Sequence, residues 1–200
     1  MGYLDEVTYK KIKPYQDKLL SPVVIVLSKL HITATAVTYS SIILMLFFVF
    51  NIQNHPQLST LLLLIVILLD LIDGTLARFQ KTSSDKGKFI DVFNDILVFV
   101  IFIWGLVYVD YLPGTVGVAV VFTLCFSKIM RITYNLLIKK TDWRFKAVAG
   151  FLPNLFTYLF YINYVVLVFF DINYLLIYSI LFSVVLFFDM VAFYYKIIYK

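Results

Sequence analysis

The chain has 200 residues, of which 62% are hydrophobic, 18% aromatic and only 14% charged, and its mean hydropathy is +0.92. So little charge cannot clothe a water-soluble globule, so the composition reads as an integral membrane protein. The run LLLLIVILL (Leu61 to Leu69) is apolar on every side, whereas barrel strands alternate, so a β-barrel is excluded and the spans are helical. At about 20 residues per pass the length allows about six passes. It leaves no room for a separate soluble domain, and the predicted fold is all-α: one polytopic membrane domain over residues 1–200.

The first thirty residues carry Lys10, Lys11, Lys13, Lys18 and Lys29 among Asp5, Glu6 and Asp17 and lack the apolar core of a secretory signal. Leu4, Val7, Ile12, Tyr15 and Leu19 recur at roughly helical spacing, which predicts a helix lying in the interface and bent at Pro14. From Leu30 to Leu69 there is no acidic residue, Lys or Arg, but NIQNHPQ (Asn51 to Gln57) is polar and holds a proline, so the stretch divides into two spans. The six predicted spans are residues 33–50, 58–78, 87–109, 114–138, 151–170 and 174–195. KKTDWRFK (Lys139 to Lys146) separates the fourth from the fifth, and DIN (Asp171 to Asn173) the fifth from the sixth. Cys125 has no cysteine to pair with and is read as packing.

Lys and Arg test this division. All 17 fall in alternate loops: five in the N-terminal segment, four from Arg78 to Lys88, six from Lys128 to Lys146, and two at Lys196 and Lys200. The positive-inside rule therefore predicts both termini in the cytoplasm. The net charge of +5 belongs to one face, where it meets anionic headgroups and phosphorylated substrates, and calls for no nucleic-acid partner.

Five of the twelve acidic residues lie between Asp70 and Asp95, four of them inside or at the end of apolar helices. Each uncompensated carboxylate there costs roughly 3 kcal/mol. Asp70 and Asp73 are three apart and share a face that Ala77 continues; Gly87, Asp91 and Asp95 step by four on the next span. The short loop FQKTSSDK makes the two helices antiparallel neighbours, with the carboxylates toward the cytoplasmic end. An all-oxygen set without matching His or Cys suits Mg²⁺ or Mn²⁺ and, with it, a phosphate-bearing substrate. Gly74, Ala77 and Gly87 leave backbone open for a flat or phosphorylated group.

The residues Asp70, Asp73, Gly74, Ala77, Arg78, Gly87, Asp91 and Asp95 reproduce D-x2-D-G-x2-A-R-x8-G-x3-D-x3-D at all eight fixed positions. In this the chain resembles the CDP-alcohol phosphatidyltransferases, as it does in its six-span layout with an N-terminal interfacial helix. LHITATAVT (Leu30 to Thr38) resembles the family's I-T-P-N-x-x-T entry to the first span, with Ala34 and Thr35 replacing Pro and Asn and Thr38 retained. The resemblance implies transfer of a phosphatidyl-type group from a CDP-linked lipid to a small alcohol acceptor, with release of CMP, in a homodimer embedded in membrane lipid. It implies that Asp70, Asp73 and Asp91 hold divalent metal, with two ions expected, and that Asp95 shares a metal and acts as the general base. Gly74, Ala77, Arg78, Gly87 and Thr38 are then expected to contact the CDP-lipid.

Lys128 and Arg131, three apart near the cytoplasmic end of the fourth span, read either as a pocket for an anionic acceptor or as ordinary snorkelling. The basic content favours a phosphorylated polyol such as glycerol phosphate or inositol phosphate, whereas RITYN and FKAVAGFLPN faintly resemble the serine-accepting members. Asp189 in the last span calls for a partner, with a cation of the fourth span as the candidate. An ion or metabolite transporter lined by the aspartates is the alternative, disfavoured because a transporter site belongs near the midplane and these carboxylates lie toward one side.

Overall fold

A computed structural model describes residues 13–82, 84–137 and 143–199. These form seven helices and, among the described residues, no strand: α1 (Lys13–Lys29), α2 (Ala34–Asn51), α3 (Pro56–Phe79), α4 (Asp85–Tyr108), α5 (Gly114–Leu137), α6 (Trp143–Phe170) and α7 (Leu175–Ile198). Among the described residues, five stretches are long and apolar enough to cross a membrane: α2, α3, Phe89–Tyr108 of α4, Gly114–Tyr134 of α5, and α7; the described apolar part of α6, Leu155–Phe170, is shorter. Large apolar side chains such as Phe47, Leu64, Phe122 and Phe188 are exposed along these helices, as lipid-facing surfaces require.

Helix ends follow local chemistry. The Thr33 side chain caps α2 by accepting from the Ala36 N–H at 3.2 Å. Pro56 opens α3 in its first turn, where its missing N–H costs nothing. Four helices end on a non-glycine residue with φ near +56 to +59°: His31, Lys81, Asp110 and Asp171. After α1, α3 and α4 the turn is a Schellman motif, with Ile32 N–H bonding Leu27 O, Thr82 N–H bonding Ala77 O and Tyr111 N–H bonding Leu106 O. Asp110 and Asp171 are thus helix terminators. The largest boundary correction is at α6, which begins at Trp143 rather than near residue 151. The charge of KKTDWRFK reads as an interrupting loop, but charge alone does not end a helix, and the backbone is already helical at Trp143.

The chain divides into two compact units, Thr8–Gly105 and the stretch from Leu106 onward. In the first, Val24 of α1, Val37 of α2 and Leu76 of α3 form one buried cluster, with Leu20 and Leu27 of α1 against it. The opposite side of α1 shows Tyr15, Leu19, Val23 and Val26 to the surroundings. Pro14 stands in the first turn of α1; Leu4, Val7 and Ile12, the rest of the expected amphipathic pattern, lie outside the described residues. α2 meets α4 through Phe48 and Phe102, whose ring centroids are 5.6 Å apart, and through Gly105, where an added Cβ would come within 3.0 Å of the Phe48 ring. Ser59 bonds the Phe48 carbonyl and ties α3 to α2.

In the second unit α7 is central. Tyr134 of α5 meets Phe193 edge-on at 5.2 Å. Phe156 and Phe160 of α6 pack with Tyr178 and Phe182 of α7, and the Tyr178 hydroxyl donates to the Phe156 carbonyl at 2.8 Å. Asp189 of α7 accepts from Ser127 at 2.6 Å and from Arg131 at 3.1 Å, both on α5. This is the cation from the fourth span that Asp189 called for.

Candidate active site

Two helices of the first unit build the site. Asp70 on α3 and Asp91 and Asp95 on α4 each bring one carboxylate oxygen into a group lying within 4.8 Å of one another. The tight Lys81 turn reverses the chain after α3, and the serine Oγ of Ser84 receives the Gly87 N–H at 3.1 Å in the first turn of α4. At an effective dielectric constant of about 20, two unit charges at such a separation repel by roughly 3 kcal/mol. Three accessible carboxylates at that spacing, contributed by two helices and composed of hard oxygen donors only, fit a divalent cation such as Mg²⁺ or Mn²⁺.

The fourth motif aspartate is placed differently. Asp73 is 5% exposed, and its Oδ2 accepts the Thr38 hydroxyl proton at 2.7 Å. It stands within electrostatic reach of Asp70 and Asp91, but its oxygens are not among the converging group. Thr38, expected to touch the donor lipid, is therefore joined here to a carboxylate. Its hydroxyl also lies 3.1 Å from the Ala34 carbonyl.

Arg78, one turn after Gly74, reaches back to α1. Its Nη2 is 2.6 Å from Asp17 Oδ1, its Nε 3.3 Å from Asp17 Oδ2, and Nη2 also donates to Thr75 Oγ1 at 3.1 Å. Gln16 donates to the Leu71 carbonyl at 3.2 Å, and Gln80 to the Ile32 carbonyl at 2.8 Å, so α3 is held at both neighbours of its motif segment. A Cβ on Gly74 would sit 3.5 Å from Arg78 Nη1, and one on Gly87 3.3 Å from Ser84 Oγ. The Ala77 carbonyl receives the Thr82 N–H at 3.0 Å.

Of the residues expected to meet an acceptor, Arg131 is engaged by Asp189, with its guanidinium carbon 5.6 Å from the Phe193 ring centroid. Lys128 is on the same helix, α5. Lys139 and Lys140 lie outside the described residues.

Three residues that the motif does not contain stand next to these groups. Asp17 holds Arg78, and Ser41 and Asn94 bond to each other at 2.9 Å between α2 and α4. Asp17 could have been noticed as an acid in a lysine-rich segment, and Asn94 as an amide inside an apolar span beside a motif aspartate. Their partners, 61 and 53 residues away in sequence, carry no local signal.

The CDP-alcohol phosphatidyltransferase family model matches residues 31–186. The chain belongs to that family. It is accordingly a membrane enzyme of phospholipid synthesis, one that transfers a phosphatidyl group, and the transporter alternative falls away. Comparison with curated proteins and with solved structures finds no match to this chain.

Proposed function

We propose that the chain joins a CDP-linked lipid to a phosphorylated polyol and releases CMP, with Asp95 as general base. The observation that carries this reading is the convergence of Asp70, Asp91 and Asp95 from two helices. These three would hold a divalent cation, and Asp73, within electrostatic reach of Asp70 and Asp91, would join Asp70 and Asp91 in holding metal if a second ion binds. When bound, such a cation supplies the charge that offsets the donor's pyrophosphate and eases departure of the nucleotide.

Gly74, Ala77 and Gly87 keep the facing helices free of bulk where the donor's headgroup would lie. Arg78, steadied by Asp17, directs its remaining donors toward phosphate oxygens. Asp95 takes the proton of the acceptor hydroxyl as that oxygen attacks phosphorus. One P–O bond forms to the acceptor, the P–O bond to CMP breaks, and the proton passes from Asp95 to solvent.

The acceptor class rests on the six basic residues from Lys128 to Lys146, which suit glycerol phosphate or inositol phosphate better than serine. The same charge pattern puts both termini and the site on the cytoplasmic side. With α6 as the remaining pass, the single membrane domain has six spans. The outward apolar side of α1 supports an interfacial position for the N-terminal helix, and the family resemblance supports a homodimer.

The test is purified protein in nanodiscs with labelled CDP-lipid, Mg²⁺ or Mn²⁺, and a panel of acceptors. CMP should appear with a phosphorylated polyol and disappear in excess chelator. CMP with serine alone would overturn the acceptor assignment, and full turnover in chelator would overturn the cation.

A further inference from the structure

A chain of hydrogen bonds outside the motif runs behind the carboxylates. Asn94 Nδ2 on α4 donates to Ser41 Oγ on α2 at 2.9 Å, Ser41 Oγ donates to the Thr38 carbonyl at 2.6 Å, and the Thr38 hydroxyl donates to Asp73 on α3 at 2.7 Å. Thr38, Ser41, Asp73 and Asn94 are all at most 7% exposed. Proton counting sets the amide's orientation: the one Ser41 proton goes to the Thr38 carbonyl, so Ser41 accepts, and the NH₂ of Asn94 must face it.

Asn94 Oδ1 is then left buried with no hydrogen-bond partner among the described residues. A half-satisfied amide in a buried helix contact costs stability that an apolar residue of similar volume would not. Packing alone therefore does not account for Asn94.

Its position on α4 does. At 3.6 residues per turn, Asn94 lies about 60° around the axis from Asp91 and about 100° from Asp95. It also heads the stripe Asn94, Val98, Phe102, Gly105, whose lower members pack on Phe48 and Val49 of α2. Apolar contacts along that stripe hold the helices together but tolerate rotation, whereas a directed bond to Ser41 fixes the turn of α4 at the end where Asp91 and Asp95 must face Asp70.

We propose that Ser41 and Asn94 are positioning residues for the carboxylate centre: through one bond they set the rotation of α4, and through Thr38 they join that setting to Asp73 on α3. This rests on the divalent-cation reading of the centre.

The test measures Mn²⁺ binding by electron paramagnetic resonance of the free ion, with the thermal midpoint of each variant beside it. Ser41→Ala and Asn94→Leu should each raise the Mn²⁺ Kd about tenfold, the scale of outer ligand supports, and the double variant should do no more than the worse single, because both remove one bond. Ser59→Ala is the matched control: a fully buried serine that also ties two helices, through the Phe48 carbonyl, it should lower the midpoint and leave the Kd unchanged. The double variant leaves neither side chain polar, so it stands as the decisive protein if a single variant does not fold. Wild-type affinity in the Ser41 and Asn94 variants, or an equal loss in Ser59→Ala, overturns the proposal. If Asp91→Asn binds Mn²⁺ as wild type does, or wild type binds none, the cation reading itself falls and takes this inference with it.

Discussion

Asp91 and Asp95 are one helical turn apart and meet Asp70 in the same small group, yet the proposed reaction asks different things of them. Asp91→Asn should weaken Mn²⁺ and donor binding together. Asp95→Asn should leave donor affinity largely intact and lower kcat by about 10²- to 10⁴-fold, the size of a lost general base. Donor affinity measured beside turnover separates the two, and equal loss of donor and metal affinity in both variants would make them a common clamp and send the search for a base elsewhere. Arg131 needs a gentler substitution than alanine. Its partner Asp189 has a side chain only 8% exposed, and a buried carboxylate stripped of its cation costs about 3–5 kcal/mol, so Arg131→Ala would report folding more than recognition. Arg131→Lys keeps the charge but loses the planar fork. If Arg131 also meets an acceptor phosphate, this variant should raise the acceptor KM well beyond the donor KM; matched changes in both would assign the residue to the α5–α7 contact alone.

At the scale of elements, two contacts decide how the site-bearing helices are held. Gly105 lets α4 approach α2 so closely that a Cβ would be 3.0 Å from Phe48 Cε1 and 3.3 Å from Val49 Cγ2. Overpacking of this kind costs about 1–3 kcal/mol, so Gly105→Ala should lower the thermal midpoint in detergent and Gly105→Val should lower it further. An unchanged midpoint in both would mean that the Phe48 ring turns aside freely. The second contact is the Asp17–Arg78 pair between α1 and α3. Its side chains are 38% and 26% exposed, and pairs so open contribute only about 0–1 kcal/mol. Asp17→Asn should therefore barely move the midpoint, but it releases Arg78 from a two-point grip and should raise the donor KM several-fold without changing Mn²⁺ affinity. A donor KM equal to wild type would show that Arg78 finds its orientation without α1.

For the whole molecule the testable quantity is orientation. All seventeen Lys and Arg fall within four segments, residues 10–29, 78–88, 128–146 and 196–200, and should hold those segments toward the cytoplasmic face. The single native cysteine, Cys125, can be replaced by serine to give a background for labelling. In sealed right-side-out vesicles, a membrane-impermeant maleimide should modify Asn54→Cys and Asn173→Cys directly, and Ser84→Cys and Lys200→Cys only after permeabilisation. The reverse pattern would put the carboxylates on the outer face, away from a nucleotide-linked donor made inside the cell.

Membrane class, helix placement and the family were legible in the sequence because each is written locally. Apolar run length sets a span, and eight residues at fixed offsets on two adjoining helices carry the motif. Even the convergence of Asp70 with Asp91 and Asp95 was readable, since a short loop leaves antiparallel neighbours little choice. Helix ends were less so: four left-handed terminators that are not glycine, and a charged first turn of α6, give composition no mark to read. What the tertiary structure decided are the pairings between side chains far apart in the chain. Asp73 with Thr38, Asn94 with Ser41, Arg78 with Asp17 and Arg131 with Asp189 span 35 to 61 residues. A buried polar group must find a partner wherever packing brings one, and the spacing of residues along a single helix does not say which distant helix will supply it.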